Sequence, residues 1–287
     1  MTFWQAVFIG ILQGATELFP VSSLGHAVII PSLLHWSYKQ SDPSFLPFLV
    51  LLHIGTAGAL FILYWRDWVA IIRGFVRAAI RGRVVAPEER LAMLLVVGTV
   101  PTGVVGVFFQ KDFQALFANP RAAAAFLVLN GVILMGAELM RRRAERRAAV
   151  EGRERVVQEE AFGEIGGLSF RTAALVGVCQ ISALFPGISR SGATMAGGLL
   201  ASLRHQEAAR FSFLLATPII AAAGLLEVPR LFTPGIPLTT YVISALLAGL
   251  AAYGSARFLI RYFRSGRLDP YAWYCVAVGV ICFALLR

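Results

Sequence analysis

The sequence predicts an all-α polytopic membrane protein built from two inverted-topology repeats, and three observations carry that prediction. The 287-residue chain is 57% hydrophobic and only 15% charged, with a mean hydropathy of +0.71, whereas soluble domains average roughly 25% charged residues. Its apolar residues gather into stretches close to the ~20 residues that a helix needs to cross a hydrocarbon core. Arginine is concentrated in alternate connectors between those stretches, as cytoplasmic loops require.

The spans are expected at 45–64, 91–109, 122–140, 211–228, 238–256 and, shorter than the rest, 271–286. The formal charge of +10 does not indicate a nucleic-acid partner. Only two of the 26 basic residues are lysines, Lys39 and Lys111, and the arginines punctuate apolar runs. Residues 66–90 carry Arg66, Arg73, Arg77, Arg81, Arg83 and Arg90. The connector after 140 is equally basic, and the one after 256 carries Arg257, Arg261, Arg264 and Arg267. These three are expected inside; 110–121 and 229–237, nearly free of basic residues, are expected outside. Met1–Gln5 has no basic region and the apolar run behind it is broken by Gln13 and Glu17, so the first segment reads as part of the fold and not as a cleaved signal. Cys179, Cys275 and Cys282 lack the paired spacing of a zinc site or disulfide framework and read as small core residues.

With those sides fixed, residue 45 starts outside and residue 211 inside, which leaves 1–44 and 165–210 as segments that return to the side they entered. Both are apolar in short pieces broken by Pro, Gly and polar residues, the signature of re-entrant helix-loop-helix hairpins. The two hairpins resemble one another: Gly10-Ile11-Leu12-Gln13 through Phe19-Pro20-Val21-Ser22-Ser23-Leu24-Gly25 matches Gly177-Val178-Cys179-Gln180 through Phe185-Pro186-Gly187-Ile188-Ser189-Arg190-Ser191-Gly192. The chain thus divides into repeat one over 1–140, a linker over 141–164, expected as a solvated helix or partly disordered, and repeat two over 165–287. All belong to one membrane domain with a site near its midplane.

The hairpins carry the candidate chemistry. A carboxylate inside an apolar segment costs several kcal/mol unless paired, hydrated or metal-bound, which makes Glu17 a functional candidate; Gln13, four residues earlier, shares its helix face. Ser22, Ser23, Gly25 and His26 follow the helix-stopping Pro20 and offer a nucleophile and a base, although either serine also suits a helix cap. His35, His53 and His205 lack such polar company and are expected to be packing or interfacial residues. In the second hairpin, Gly187, Ser189, Arg190, Ser191, Gly192 and Thr194 precede or open a small-residue helix, an arrangement suited to cradling an oxyanion, with Arg190 as a planar fork for phosphate. The copies differ: where the first has Glu17, four residues after Gln13, the second has Leu184, four after Gln180. One half looks catalytic and the other anion-binding.

The stretches Gln13–His26 and Pro186–Thr194 resemble the two signature motifs of the bacterial undecaprenyl-diphosphate phosphatases of the BacA/UppP type, and the likeness extends over nearly the whole chain. It implies hydrolysis of undecaprenyl diphosphate to undecaprenyl phosphate and inorganic phosphate, recycling of the lipid carrier for peptidoglycan, and bacitracin resistance. A divalent cation, Mg2+ or Ca2+, is implied too. The expected setting is the bacterial inner membrane, multi-pass, with the active site open to the periplasm; membrane lipids and the polyprenyl diphosphate are the expected partners, and a homo-oligomer is compatible with the sequence. On this reading Ser189, Arg190, Ser191 and Thr194 hold the diphosphate, with Ser22, Gly25, Gly187 and Gly192 shaping the cradle. Gln13 and Glu17 bind or orient the cation, and His26 with Ser23 supplies base and nucleophile, the attacking group being Ser23, His26 or a water. The alternative function is a transporter or flippase of a polyprenyl phosphate, because inverted repeats with broken helices are the build of secondary transporters.

Overall fold

A computed structural model of the chain describes residues 1–36, 42–150, 164–232 and 237–286. The first hairpin begins on a capping box: Thr2 Oγ1 accepts from the Gln5 amide N–H while Gln5 Oε1 accepts from Thr2 N–H, which starts α1 (Phe3–Thr16). A turn leads to α2 (Ser23–Leu33), capped by the Ser22 hydroxyl, which accepts from Gly25 N–H. The second hairpin repeats the device. Ser169 caps α8 (Phe170–Ile181) and Ser189 caps α9 (Arg190–Leu200), each through a hydroxyl that accepts the N–H three residues on. At 1.5 Å per residue the 14 residues of α1 reach about 21 Å, and the other three less, short of the ~30 Å of a hydrocarbon core.

Five helices are long and apolar enough to cross a membrane: α3 (Phe45–Leu63), α5 (Pro87–Phe108), α7 (Pro120–Val150), α10 (His205–Glu227) and α11 (Leu238–Tyr262). The sixth expected span is α12 (Asp269–Leu285), an apolar helix of 17 residues, or about 25 Å. Two connectors hold helices that the span pattern does not reveal. α4 (Trp65–Arg81) turns Trp68, Ile71, Gly74 and Ala78 inward, leaves Phe75 and Ile80 exposed, and stops at Gly82, whose φ of +68° is the left-handed cap that glycine favours. α6 (Gln110–Phe117) lies between α5 and α7.

The linker expected from residue 141 starts later than its charge suggests. α7 runs on to Val150, because its arginines find partners: buried Arg141 donates to Leu203 O at 2.6 Å and to Glu145 at 2.9 Å, and Arg142 pairs with Asp269. His205, expected to lack polar company, contacts buried Glu138 at 2.9 Å in the same network. Residues 151–163 of the expected linker lie outside the described residues.

The packing of the helices is reciprocal. α1 lies on α11 and α8 lies on α5; α3 packs on α11 and α10 on α5; α3 meets α10 and α7 meets α12. Small residues permit these contacts, as in membrane helix pairs generally. A Cβ at Gly14 would come within 2.0 Å of Ala248 O, and one at Gly177 within 2.4 Å of Gly98 O.

Gly14→Val is therefore expected to lose about 1–3 kcal/mol of stability through overpacking of α1 on α11, whereas Gly58→Ala, which meets nothing within 4 Å, serves as control. Thermal unfolding of the two variants in detergent checks this; a Gly14→Val protein as stable as wild type would contradict the close approach.

Candidate active site

The turns of the two hairpins meet in the interior. Gly187 adopts φ +109°, which a side chain disfavours, and a Cβ on Gly25 would sit 2.9 Å from Gly187 Cα, so the two turns touch backbone to backbone. Ser22, at φ +65°, is held in its left-handed conformation by three contacts: its Oγ accepts from Gly25 N–H and donates to Ile188 O of the other turn, and its carbonyl accepts from His26. Ser191 Oγ reaches back to Phe19 O at 2.9 Å.

Glu17, 6% exposed at the end of α1, is the centre of this junction. Its Oε1 accepts from Arg190 Nη2 at 3.1 Å. Its Oε2 accepts from the Ser23 hydroxyl and from Gln13 Nε2 at 3.3 Å, and lies 3.1 Å from His53 Nε2. His53 Nδ1 faces Leu49 O at 2.7 Å. A ring nitrogen and a carboxylate oxygen at that separation hold a proton between them. Arg190 is oriented from behind by Ser212 O on α10, 3.2 Å from Nη1.

Several expected residues take other places. His26 does not face Ser23: its Nδ1 is 2.7 Å from Ser22 O and its Nε2 2.8 Å from the Tyr274 hydroxyl, with the two rings stacked, so the imidazole braces the first turn against α12. The imidazole on the carboxylate is instead His53, which the sequence reading set aside because its polar company comes from α1 and α9 and not from its own helix. Thr194 Oγ1 is engaged by Arg190 O and by Ser212 Oγ at 2.6 Å, and Gly192 N–H by the Ser189 hydroxyl, so these two and Ser191 shape the second turn and do not open to a ligand. Asn130 on α7 went unnoticed, though a lone amide inside an apolar span is itself a signal. Fully buried, it donates to Pro20 O at 2.9 Å and accepts from Ser189 N–H at 3.0 Å, one bond to each turn.

A cavity of about 240 Å³ opens beside Glu17, bordered by Ser22, Ser23, His53, Gln180, Ser189 and Arg190. It continues through Leu24, Thr102, Leu184 and Ile219 into an apolar groove of about 260 Å³ along α5, α6 and α10. Polar groups of both signs thus face one end of a hydrophobic channel.

The residues expected to bind a cation do not fit one. Both Glu17 oxygens are taken, one by a guanidinium that would repel a metal on the same carboxylate, and Gln13 offers Glu17 its NH2 while its carbonyl accepts from Thr56 at 3.1 Å. Among the described residues no three His, Cys, Asp or Glu side chains gather into a metal-binding group.

The family model described as "Bacitracin resistance protein BacA" matches residues 6–281. Relatives called undecaprenyl-diphosphatase align along essentially their full length. The Acidiphilium cryptum protein is 45% identical, covering 100% of this chain and 99% of its own. That of Granulibacter bethesdensis is 46% identical over 99% and 96%, and that of Mycolicibacterium paratuberculosis 44% over 97% and 95%.

Two outcomes follow from the geometry. Asn130→Asp keeps the acceptor for Ser189 but loses the donor to Pro20 and buries a charge, while Asn130→Leu loses both bonds; each is expected to cost about 1–3 kcal/mol or more, read by thermal unfolding in detergent, and an unchanged midpoint for both would remove Asn130 from the site's support. Purified protein dialysed against Mn2+ with no diphosphate present is expected to retain none, whereas one Mn2+ per chain, lost in Glu17→Gln, would restore Gln13 and Glu17 as ligands.

Proposed function

Since the chain belongs to the BacA bacitracin-resistance family, we propose that it is a membrane phosphatase that hydrolyses undecaprenyl diphosphate to undecaprenyl phosphate and inorganic phosphate. The observation that carries the reading is the pairing of Glu17 with Arg190, 173 residues apart in sequence and 3.1 Å apart in space, with the Ser23 hydroxyl on the same carboxylate and the apolar groove alongside. Phosphoryl transfer asks mainly for positioning and neutralisation of charge, and this cluster supplies a hydroxyl, a proton acceptor and a guanidinium within one cavity.

In the mechanism that this geometry favours, the terminal phosphate draws Arg190 away from Glu17, which leaves the carboxylate to accept the Ser23 proton. Ser23 Oγ forms a bond to the terminal phosphorus as the bond to the bridging oxygen breaks, and undecaprenyl phosphate departs. Water then attacks the phosphoserine, gives a proton to Glu17, and releases phosphate while Ser23 recovers its own proton. His53 holds Glu17 in place throughout. His26, tied to Ser22 O and Tyr274, keeps Ser23 aimed at the cavity in place of serving as its base. The prenyl tail lies in the groove between α5, α6 and α10, where it keeps an apolar surrounding.

The same proposal includes the arrangement in the bilayer. Reciprocal packing of α1 on α11 and α8 on α5 supports two halves of opposite topology, each a re-entrant hairpin followed by three crossings, in a bacterial inner membrane with the basic connectors in the cytoplasm and the cavity open to the periplasm. Removal of undecaprenyl diphosphate fits the bacitracin resistance in the family's name. The same paired halves favour, as a second reading, movement of a polyprenyl phosphate across the membrane, which would proceed without phosphate release.

Phosphate release from farnesyl or undecaprenyl diphosphate by purified protein in detergent tests the proposal. Glu17→Ala, Ser23→Ala and Arg190→Ala are each expected to lower kcat/KM by about 10²-fold or more. No release by wild type, or unchanged release by the three variants, rejects the enzyme.

A further inference from the structure

Gln180, the penultimate residue of α8, borders the cavity that holds Glu17, Ser23 and Arg190. Its side chain is 0% exposed, and neither Nε2 nor Oε1 has a hydrogen-bond partner among the described residues. Leaving an amide buried and unpaired is unfavourable, and such exceptions in an otherwise satisfied interior call for a reason.

The first hairpin shows what the second one lacks. Gln13, at the matching position, is fully engaged: its carbonyl accepts from Thr56 and its NH2 donates to Glu17 four residues on. Four residues after Gln180 stands Leu184, so the acceptor is missing from the chain. Beside it, Arg190 commits Nη1 to Ser212 O and Nη2 to Glu17 but leaves Nε without an acceptor. Two N–H donors from the second half thus border one cavity with nothing in the protein to receive them.

We infer that Gln180 is a substrate-binding residue, whose Nε2 donates to a phosphate oxygen of the diphosphate beside the open Nε–H of Arg190. This rests on the diphosphate reading given above. Phosphate oxygens match the vacancy because they are charged acceptors with several lone pairs, able to take both donors at once. The amide carbonyl then accepts from water or a protonated phosphate oxygen carried in with the ligand.

The test uses Gln180→Met, close in volume and without hydrogen-bonding groups, and Gln180→Leu as a second variant, in the full chain purified in detergent. A residue kept for its ligand, not for the fold, predicts opposite signs in two measurements. Without ligand, the variants are expected to unfold at the wild-type temperature or above. Methylene diphosphonate, a diphosphate that cannot be hydrolysed, is expected to bind them about tenfold or more weakly, with KM for farnesyl diphosphate raised in parallel. Wild-type affinity for the diphosphonate in both variants would overturn the assignment, and so would lowered unfolding temperatures in both, the mark of an amide that serves the fold. Phosphate release by wild type tests the enzyme reading separately: its absence alongside intact diphosphonate binding would sink the phosphatase and leave Gln180 in its role.

Discussion

A single carboxylate inside an apolar protein governs the arrangement of the site. Removing one partner of a buried ion pair typically costs about 3–5 kcal/mol, so Glu17 must be met from every side. Arg190 from the second hairpin, His53 from α3, Ser23 from its own turn and Gln13 from its own helix do so. That need draws the turns of the two hairpins together, and the glycines, the left-handed Ser22 and the bridging Asn130 are what let them come so close. The cavity is the space left where this junction meets the apolar faces of α3, α5 and α10.

Much of this was legible in the chain. Glu17 and Arg190 stood out because charge in apolar sequence is expensive, and the structure brings them to one point. The helical hairpins were visible from Pro and Gly interrupting short apolar runs, and the serine caps from hydroxyls placed at helix starts. Assigning roles to the two histidines was harder. His26 is near Ser23 in sequence but turned to Tyr274, whereas His53, 36 residues beyond Glu17, lies on its carboxylate. Local clustering identifies a turn; which side chains face across it is decided by helices that arrive from elsewhere.

The helices outside the spans were hidden for a related reason. α4 balances arginines against Trp68, Ile71 and Phe75, so its average hydropathy is unremarkable and only its periodicity marks it. The continuation of α7 past residue 140 reads as a charged linker until Leu203 O, Glu138, His205 and Asp269 are seen to receive and balance those charges. Residues that pair across 60 to 130 positions leave no mark on a window of sequence.

The contact between Gly25 and Gly187 bears on how the site behaves as a mechanical object. Most helix and loop contacts are cushioned by side chains that can change rotamer, and such cushions absorb small shifts. Here main chain rests on main chain, so nothing soft separates the turn that carries the hydroxyl from the turn that carries the guanidinium. A displacement of one hairpin is passed to the other undiminished, and the spacing between Ser23 and Arg190 is set like a caliper by the backbone, not retuned by the side chains around it.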